Sequence, residues 1–143
     1  MKRTTGVLIL FVLLIGASAC SSTENLSVEN VWSRPGFQGD NSAIYLTIRN
    51  PGEQGDILLQ ALSDVAGATE IHLSKMDSSG VMTMERKDQI IIPAQESVEF
   101  SPGGLHIMLV NLAQDLSVGD TYPINLVFEK AGDLSVEVEV KQP

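Results

Sequence analysis

Apolar and polar positions alternate along most of this chain with a repeat of two residues. Ile44, Leu46 and Ile48 share one phase of SAIYLTIRN (42–50), and Leu105, Ile107 and Leu109 share one phase of LHIMLVNL (105–112). A repeat of two places successive side chains on opposite faces of a strand, so each segment reads as a half-buried β-strand. The same pattern predicts strands over 26–34, 56–63, 68–76, 81–86, 89–92, 97–101, 122–130 and 134–141. Between them lie NPGEQGD, MDSSG, IPAQE, SPGG, SVGD and KAGD, stretches rich in the residues that make turns. ILLQALSDVAGA comes nearest to an amphipathic helix, and Asp64 and Gly67 interrupt it. Short strands so punctuated predict an all-β antiparallel sandwich or barrel. The predicted core takes Ile44, Leu46, Ile48, Leu105, Ile107, Leu109, Leu126, Phe128, Val136, Val138 and Val140, with Trp32 and Tyr45 as large core pieces.

The first residues break this pattern. Met1-Lys2-Arg3 is a basic start, GVLILFVLLIG (6–16) is uninterrupted apolar sequence, and ASAC (17–20) follows. That is the layout of a secretory signal, and Gly6–Cys20 is shorter than the roughly 20 residues a membrane-spanning helix needs. Cys20 is the only cysteine, so an exported form has no internal disulfide to make with it. The stretch resembles a bacterial lipobox, in which the cysteine is lipidated and becomes the mature N-terminus. Ser18 and Ala19 suit that motif, Ala17 stands where leucine is usual, and Ala17-Ser18-Ala19 also fits an ordinary A-x-A cleavage site. The expected organisation is a signal peptide over 1–19, a lipidated Cys20 with a polar tether over 20–25, and one β domain over 26–143.

Cleavage at that point leaves seven basic against eighteen acidic residues, a formal charge of −11. Such a chain lacks the clustered Lys and Arg that neutralise phosphates, which argues against nucleic acid as a partner. It argues equally against anionic lipid bound through the protein surface, leaving the lipid anchor as the membrane contact. G-x-S-x-G, H-E-x-x-H and glycine-rich phosphate loops are absent from the sequence, and the carboxylates are scattered. Asp56 and Asp120 fall in turns, where they serve local hydrogen bonding.

Histidine and methionine change the picture. The two histidines, His72 and His106, and the four methionines beyond the leader, Met76, Met82, Met84 and Met108, all fall within residues 72–108. His106 and Met108 occupy the non-core phase of their strand, about 6.6–6.8 Å apart at Cα and on one face. PGG (102–104) ahead of them places His106 near the end of the sheet. Val110 in the same phase leaves a second apolar surface as the alternative. His72 stands outward with Glu70 and Ser74, because Ile71 and Leu73 take the core phase.

The chain then turns at MDSSG and returns through VMTMER. Whether His72 and Met84 share a face depends on the register of that hairpin. A plain four-residue DSSG loop separates them, and a one-residue slip unites them. Thr83 and Glu85 alternate with Met82 and Met84, so pattern alone turns the methionines inward unless the segment lies beyond the packed sheet. Neutral thioether and imidazole without thiolate or carboxylate favour Cu(I) over zinc, calcium or magnesium, and a blue-copper centre would need a cysteine ligand.

The chain resembles the PCu(A)C-type extracytoplasmic copper chaperones. Their motif is a histidine, an optional methionine, ten residues, a methionine, twenty-one residues and H-x-M. Here His72 is followed by Leu73, ten residues, Met84, twenty-one residues, His106 and Met108. Leu73 stands at the optional position. The likeness extends through AIYLTIRNPGEQGDILL, SPGGLHIMLVNL and SVGDTYPINLVFEKAG, most of residues 28–140. It implies a cupredoxin-like Greek-key β-sandwich or barrel holding one Cu(I) through His72, Met84, His106 and Met108. It also implies delivery of copper to the dinuclear centre of cytochrome c oxidase, in subunit II, with a Sco-type thiol protein as a further partner. The expectation is therefore a monomeric, lipid-anchored Cu(I) carrier of the cell envelope and not an enzyme. The alternative is a metal-independent adhesion or assembly module.

Overall fold

The computed structural model describes residues 25–142. The expected signal peptide, the lipidation site Cys20 and all of the tether but Asn25 lie outside the described residues. Ten strands form in chain order: β1 (Ser27–Ser33), β2 (Ser42–Asn50), β3 (Asp56–Leu62), β4 (Ala66–Met76), β5 (Met82–Lys87), β6 (Ile90–Ile92), β7 (Glu96–Phe100), β8 (Leu105–Leu112), β9 (Thr121–Phe128) and β10 (Gly132–Val140). Every predicted strand is present, and the boundaries of β2 and β8 coincide with the alternating segments. The described residues contain no helix, and none long and apolar enough to cross a membrane.

The strands join in the order β5-β4-β8-β2-β1-β10-β9-β3-β6, with β7 on β2. All pairings are antiparallel except that of β1 with β10, where Trp32 meets Glu139 and Ser33 meets Val140. The sheet curls on itself, since Ile71 near one end of the path shares a single apolar cluster with Ile90 and Ile92 at the other. Ile44, Ile48, Ile107, Leu109, Leu126, Val138 and Val140 are buried there, with Leu46 and Phe128. Leu105 and Val136 pack against the cluster as partly buried residues. The expected core thus forms, and Leu58, Ile92, Phe100 and Ile124 add to it.

Trp32 and Tyr45 depart from the expectation. Tyr45 is buried, but it alternates with Ile44 and Leu46 and so stands on the other face of β2. Its ring packs on Trp32, its register partner in β1, with centroids 4.6 Å apart. Arg34 lies over the same ring at 5.5 Å.

Strand β2 changes neighbours part-way along one edge. Ser42, Ala43 and Ile44 pair with Leu109, Met108 and Ile107 of β8. Leu46 through Asn50 pair with Phe100 through Glu96 of β7. The SPGG turn lies between the two partners, closed by bonds from Gly104 N to Ser101 O (3.0 Å) and from Ser101 N to Leu105 O (2.8 Å). Gly103 takes φ +84° there, a conformation that a side chain disfavours. Far from this turn, Asp56 is buried and accepts bonds from the backbone N–H of Ile57, Lys130 and Ala131 at 2.7, 2.9 and 2.8 Å. It ties the start of β3 to the β9–β10 turn. Burial pushes its carboxyl up, but those N–H groups and the charge of Lys130 outweigh burial and hold it below the usual value.

Candidate metal centre

The candidate ligands stand on the face of β8, β4 and β5 that is turned from the core. In β8, Ile107 and Leu109 point inward and are buried, which sends His106 and Met108 to the other side. In β4, buried Ile71 fixes Glu70, His72, Ser74 and Met76 on the same outer side. The β4–β8 register sets His72 directly opposite His106 and Glu70 opposite Met108. The imidazole centroids are 5.8 Å apart and the ring planes meet edge-on at 63°. His106 is buried although it lies outside the apolar cluster.

Each ring has one nitrogen committed and one left over. His106 Nδ1 lies 3.1 Å from the carbonyl oxygen of Gly104. A carbonyl only accepts, so Nδ1 carries the proton and Nε2 keeps its lone pair. In His72 the arrangement is reversed. Its Nε2 donates to Glu70 Oε2 at 2.8 Å, and Nδ1 is buried with no hydrogen-bond partner. Buried polar atoms are nearly always paired, so an orphaned lone pair beside a second imidazole is the mark of a ligand position. Glu70 is held in turn by Arg86 Nη1 at 3.1 Å from its other oxygen, and Arg86 is the β5 partner of His72. The carboxylate is thereby engaged on both sides. It acts on His72 as an orienting group, as carboxylates behind metal-binding histidines commonly do.

The hairpin register resolves the ambiguity over Met84. Asp77 N bonds to Val81 O at 2.9 Å, which makes the loop three residues, Ser78–Gly80, rather than four. Asp77 Oδ1 accepts from Ser79 N, Ser79 Oγ and Val81 N at 2.8, 2.6 and 2.9 Å. Gly80 takes φ +82°, the left-handed residue that closes a three-residue hairpin loop. The resulting register sets Met84 opposite Ser74, so it shares the face of His72 but lies one diagonal step away. Met84 is 59% exposed. Pattern alone turned Met82 and Met84 inward. Instead, β5 is an edge strand beyond the core, and Thr83, Glu85 and Lys87 line its other face. Lys75 and Lys87 pair with Glu85 at 2.6 and 2.7 Å. Those two ammonium groups bring the Glu85 carboxyl down to about 2.

His72 and His106 are therefore direct neighbours, Met108 lies beside them on β8, and Met84 stands at the open rim. Among the described residues no three His, Cys, Asp or Glu side chains converge as a metal site. Glu70 is the contact of His72 that ligand reasoning passed over. Its signal was the E-x-H spacing, which puts carboxylate and imidazole on one strand face.

Comparisons with known proteins place the fold. A family profile described as "Putative lipoprotein LpqE-like" matches residues 26–140. An uncharacterized protein of Rickettsia prowazekii, RP573, is 35% identical over 114 residues, spanning 76% of this chain and 62% of that protein. The copper-bound PCuAC domain from PmoF2 superposes with a TM-score of 0.70 at 26% identity, covering 85% of this chain and 97% of that one. The Cu(I)-bound solution structure of DR1885 from Deinococcus radiodurans gives a TM-score of 0.64 at 25% identity, over 87% of this chain and 85% of that one. The likeness to PCu(A)C-type domains and the all-β, cupredoxin-like fold expected from sequence are both borne out.

Proposed function

The chain belongs to the LpqE-like family, and from that premise we propose that it is an extracytoplasmic Cu(I) carrier. One Cu(I) is held by His72 Nδ1, His106 Nε2 and the sulfurs of Met108 and Met84. The observation that carries this reading is the buried, partnerless Nδ1 of His72, 5.8 Å ring to ring from His106 on the adjacent strand. Its relatives lend further support, because copper-bound and Cu(I)-bound domains share the fold.

The donor set suits a soft monovalent ion. Two neutral imidazoles and two neutral thioethers leave the positive charge of copper uncompensated, which favours Cu(I) over harder divalent ions. Glu70 and the Gly104 carbonyl each fix the tautomer of one ring, so the lone pairs are aimed before the ion arrives. Neutral ligands at a partly open face suit surrender to an acceptor more than permanent storage. The acceptor we propose is the dinuclear copper centre of cytochrome c oxidase, in subunit II, with a Sco-type thiol protein as intermediary. Export through the signal at 1–19 and anchoring through lipidated Cys20 place the carrier at the membrane where that acceptor resides. The family description as lipoprotein supports the anchor.

A Cu(I) titration against a competing chelator, read with X-ray absorption, tests the reading. The expected result is a stoichiometric ion with mixed nitrogen and sulfur neighbours. A spectrum without sulfur neighbours overturns the methionine assignments. Absence of stoichiometric copper overturns the carrier and favours the metal-independent module.

A further inference from the structure

Three methionines of the β4–β5 hairpin lie on the site's face but outside its innermost part. Met76 and Met82 are register partners at the end of the hairpin, and Met84 follows Met82 by two residues on the same face. They are 67%, 49% and 59% exposed. The bonded pair Asp77–Val81 next to them makes Met76–Met82 the closer, non-hydrogen-bonded kind of pair by alternation, about 4.5 Å apart at Cα. Met84 follows at about 6.8 Å along β5. Flexible side chains at those separations can bring three thioether sulfurs to one ion.

Packing does not account for these residues. Strand β5 contributes no member of the apolar cluster. On the opposite face of the hairpin, Lys75, Thr83 and Glu85 are joined by hydrogen bonds and ion pairs. At the tip of the hairpin the other face carries three methionines, a residue prone to oxidation outside the cell, rather than leucine or valine. What thioether adds over an alkyl chain is a soft, neutral donor.

We propose that Met76, Met82 and Met84 form a second, thioether-only Cu(I) site at the tip of the hairpin. Met84 is common to both sets of ligands. An ion captured at the tip needs only to exchange Met76 and Met82 for His72, His106 and Met108 while Met84 stays bound. The exchange is of neutral ligands, so copper remains Cu(I) and no proton moves. Glu70 and Arg86, the charged groups of this face, are engaged with His72 and each other and do not compete for the ion. The hydrogen-bonded loop at Asp77 and Gly80 keeps Met76 and Met82 in register. Capture at the tip stands on the methionines alone, whereas transfer inward rests on the Cu(I) reading of the inner site.

Titration of the full mature chain with Cu(I) under reductant, following the methyl signals of ¹³C-methyl-labelled methionine, separates the two. In the unaltered chain the first equivalent is expected to shift Met108 and Met84. In the His72→Ala/His106→Ala variant, which leaves Met84 to the tip, one equivalent shifts Met76, Met82 and Met84. In Met76→Leu/Met82→Leu, which keeps volume and apolar character, the inner site still fills but its loading from a chelated donor slows. Met76 and Met82 signals that stay fixed in the histidine variant overturn the tip site, as does unchanged loading in the leucine variant. If Met108 stays fixed while Met76 and Met82 move, the inner-site reading fails and the tip site survives.

Discussion

Two halves of the proposed site are built in opposite ways. The half on β8 and β4 lies within the sheet, where His106 is buried and backed by the fully buried Ile107. The half on β5 hangs at the edge of the sheet, where the methionines are exposed and no core lies behind them. The inner half is held by the same packing that holds the fold, so its ligand positions come preorganised. The outer half is held by a hairpin ladder and a three-residue loop, so its ligands are free to rearrange. A carrier needs both properties. It must select its ion, and it must also release it to another protein.

The sharpest way to break this comparison is to cut on either side of β8. Ile107→Ala removes a fully buried side chain, and chemical denaturation should show a loss of about 2–5 kcal/mol. His106→Ala, one residue away on the other face, should leave the fold in place and weaken Cu(I) affinity by more than about 100-fold, beyond what loss of a supporting group costs. If His106→Ala unfolds the protein, the two faces are not separable. A smaller effect is expected from Glu70→Ala, which releases Nε2 of His72. Affinity should fall about 10- to 100-fold, and ¹⁵N spectra of the apo protein should show the fixed tautomer of His72 lost while that of His106 persists. Met84→Leu addresses the outer half. It should lower affinity by about tenfold or less, since an exposed ligand returns less on binding than a preorganised one, and release to a chelator should quicken. An effect as large as that of His106→Ala would mean that the edge is as preorganised as the interior.

The smallest effect serves as a control far from the metal face. The Asp56 carboxyl is held below its ordinary value of 3.8, so the stability it lends is complete above that value and is lost as the pH falls through the lower, folded one. Asp56→Asn should therefore flatten the acid limb of the stability profile below about pH 4. Cu(I) affinity at neutral pH should stay unchanged.

Legibility in the sequence followed the same division. Alternation located β2 and β8 to the residue, because one side of each strand meets a core and the pattern records that burial. It leaves β5 open for the corresponding reason. An edge strand with no core behind it alternates for its own needs, and Thr83 and Glu85 face Lys75 and Lys87 rather than open solvent alone. The hairpin register was undecided because DSSG permits two loops. Asp77 decides it through bonds that count residues in three dimensions. Tyr45 looked like core for its size, yet its burial is supplied by Trp32 and Arg34 on the outer face. Glu70 was placed correctly beside His72, but its work depends on which imidazole nitrogen it meets, and only coordinates show that.

Strand β5 joins the rest of the sheet through β4 alone and gives nothing to the shared core. In engineering terms it is a cartridge. Its loop and outer face can be exchanged for another set of donors, histidine or carboxylate for thioether, while β8 and the buried half of the site stay as they are. Metal preference in this scaffold can then be rewritten within the six residues of β5 at little cost to folding.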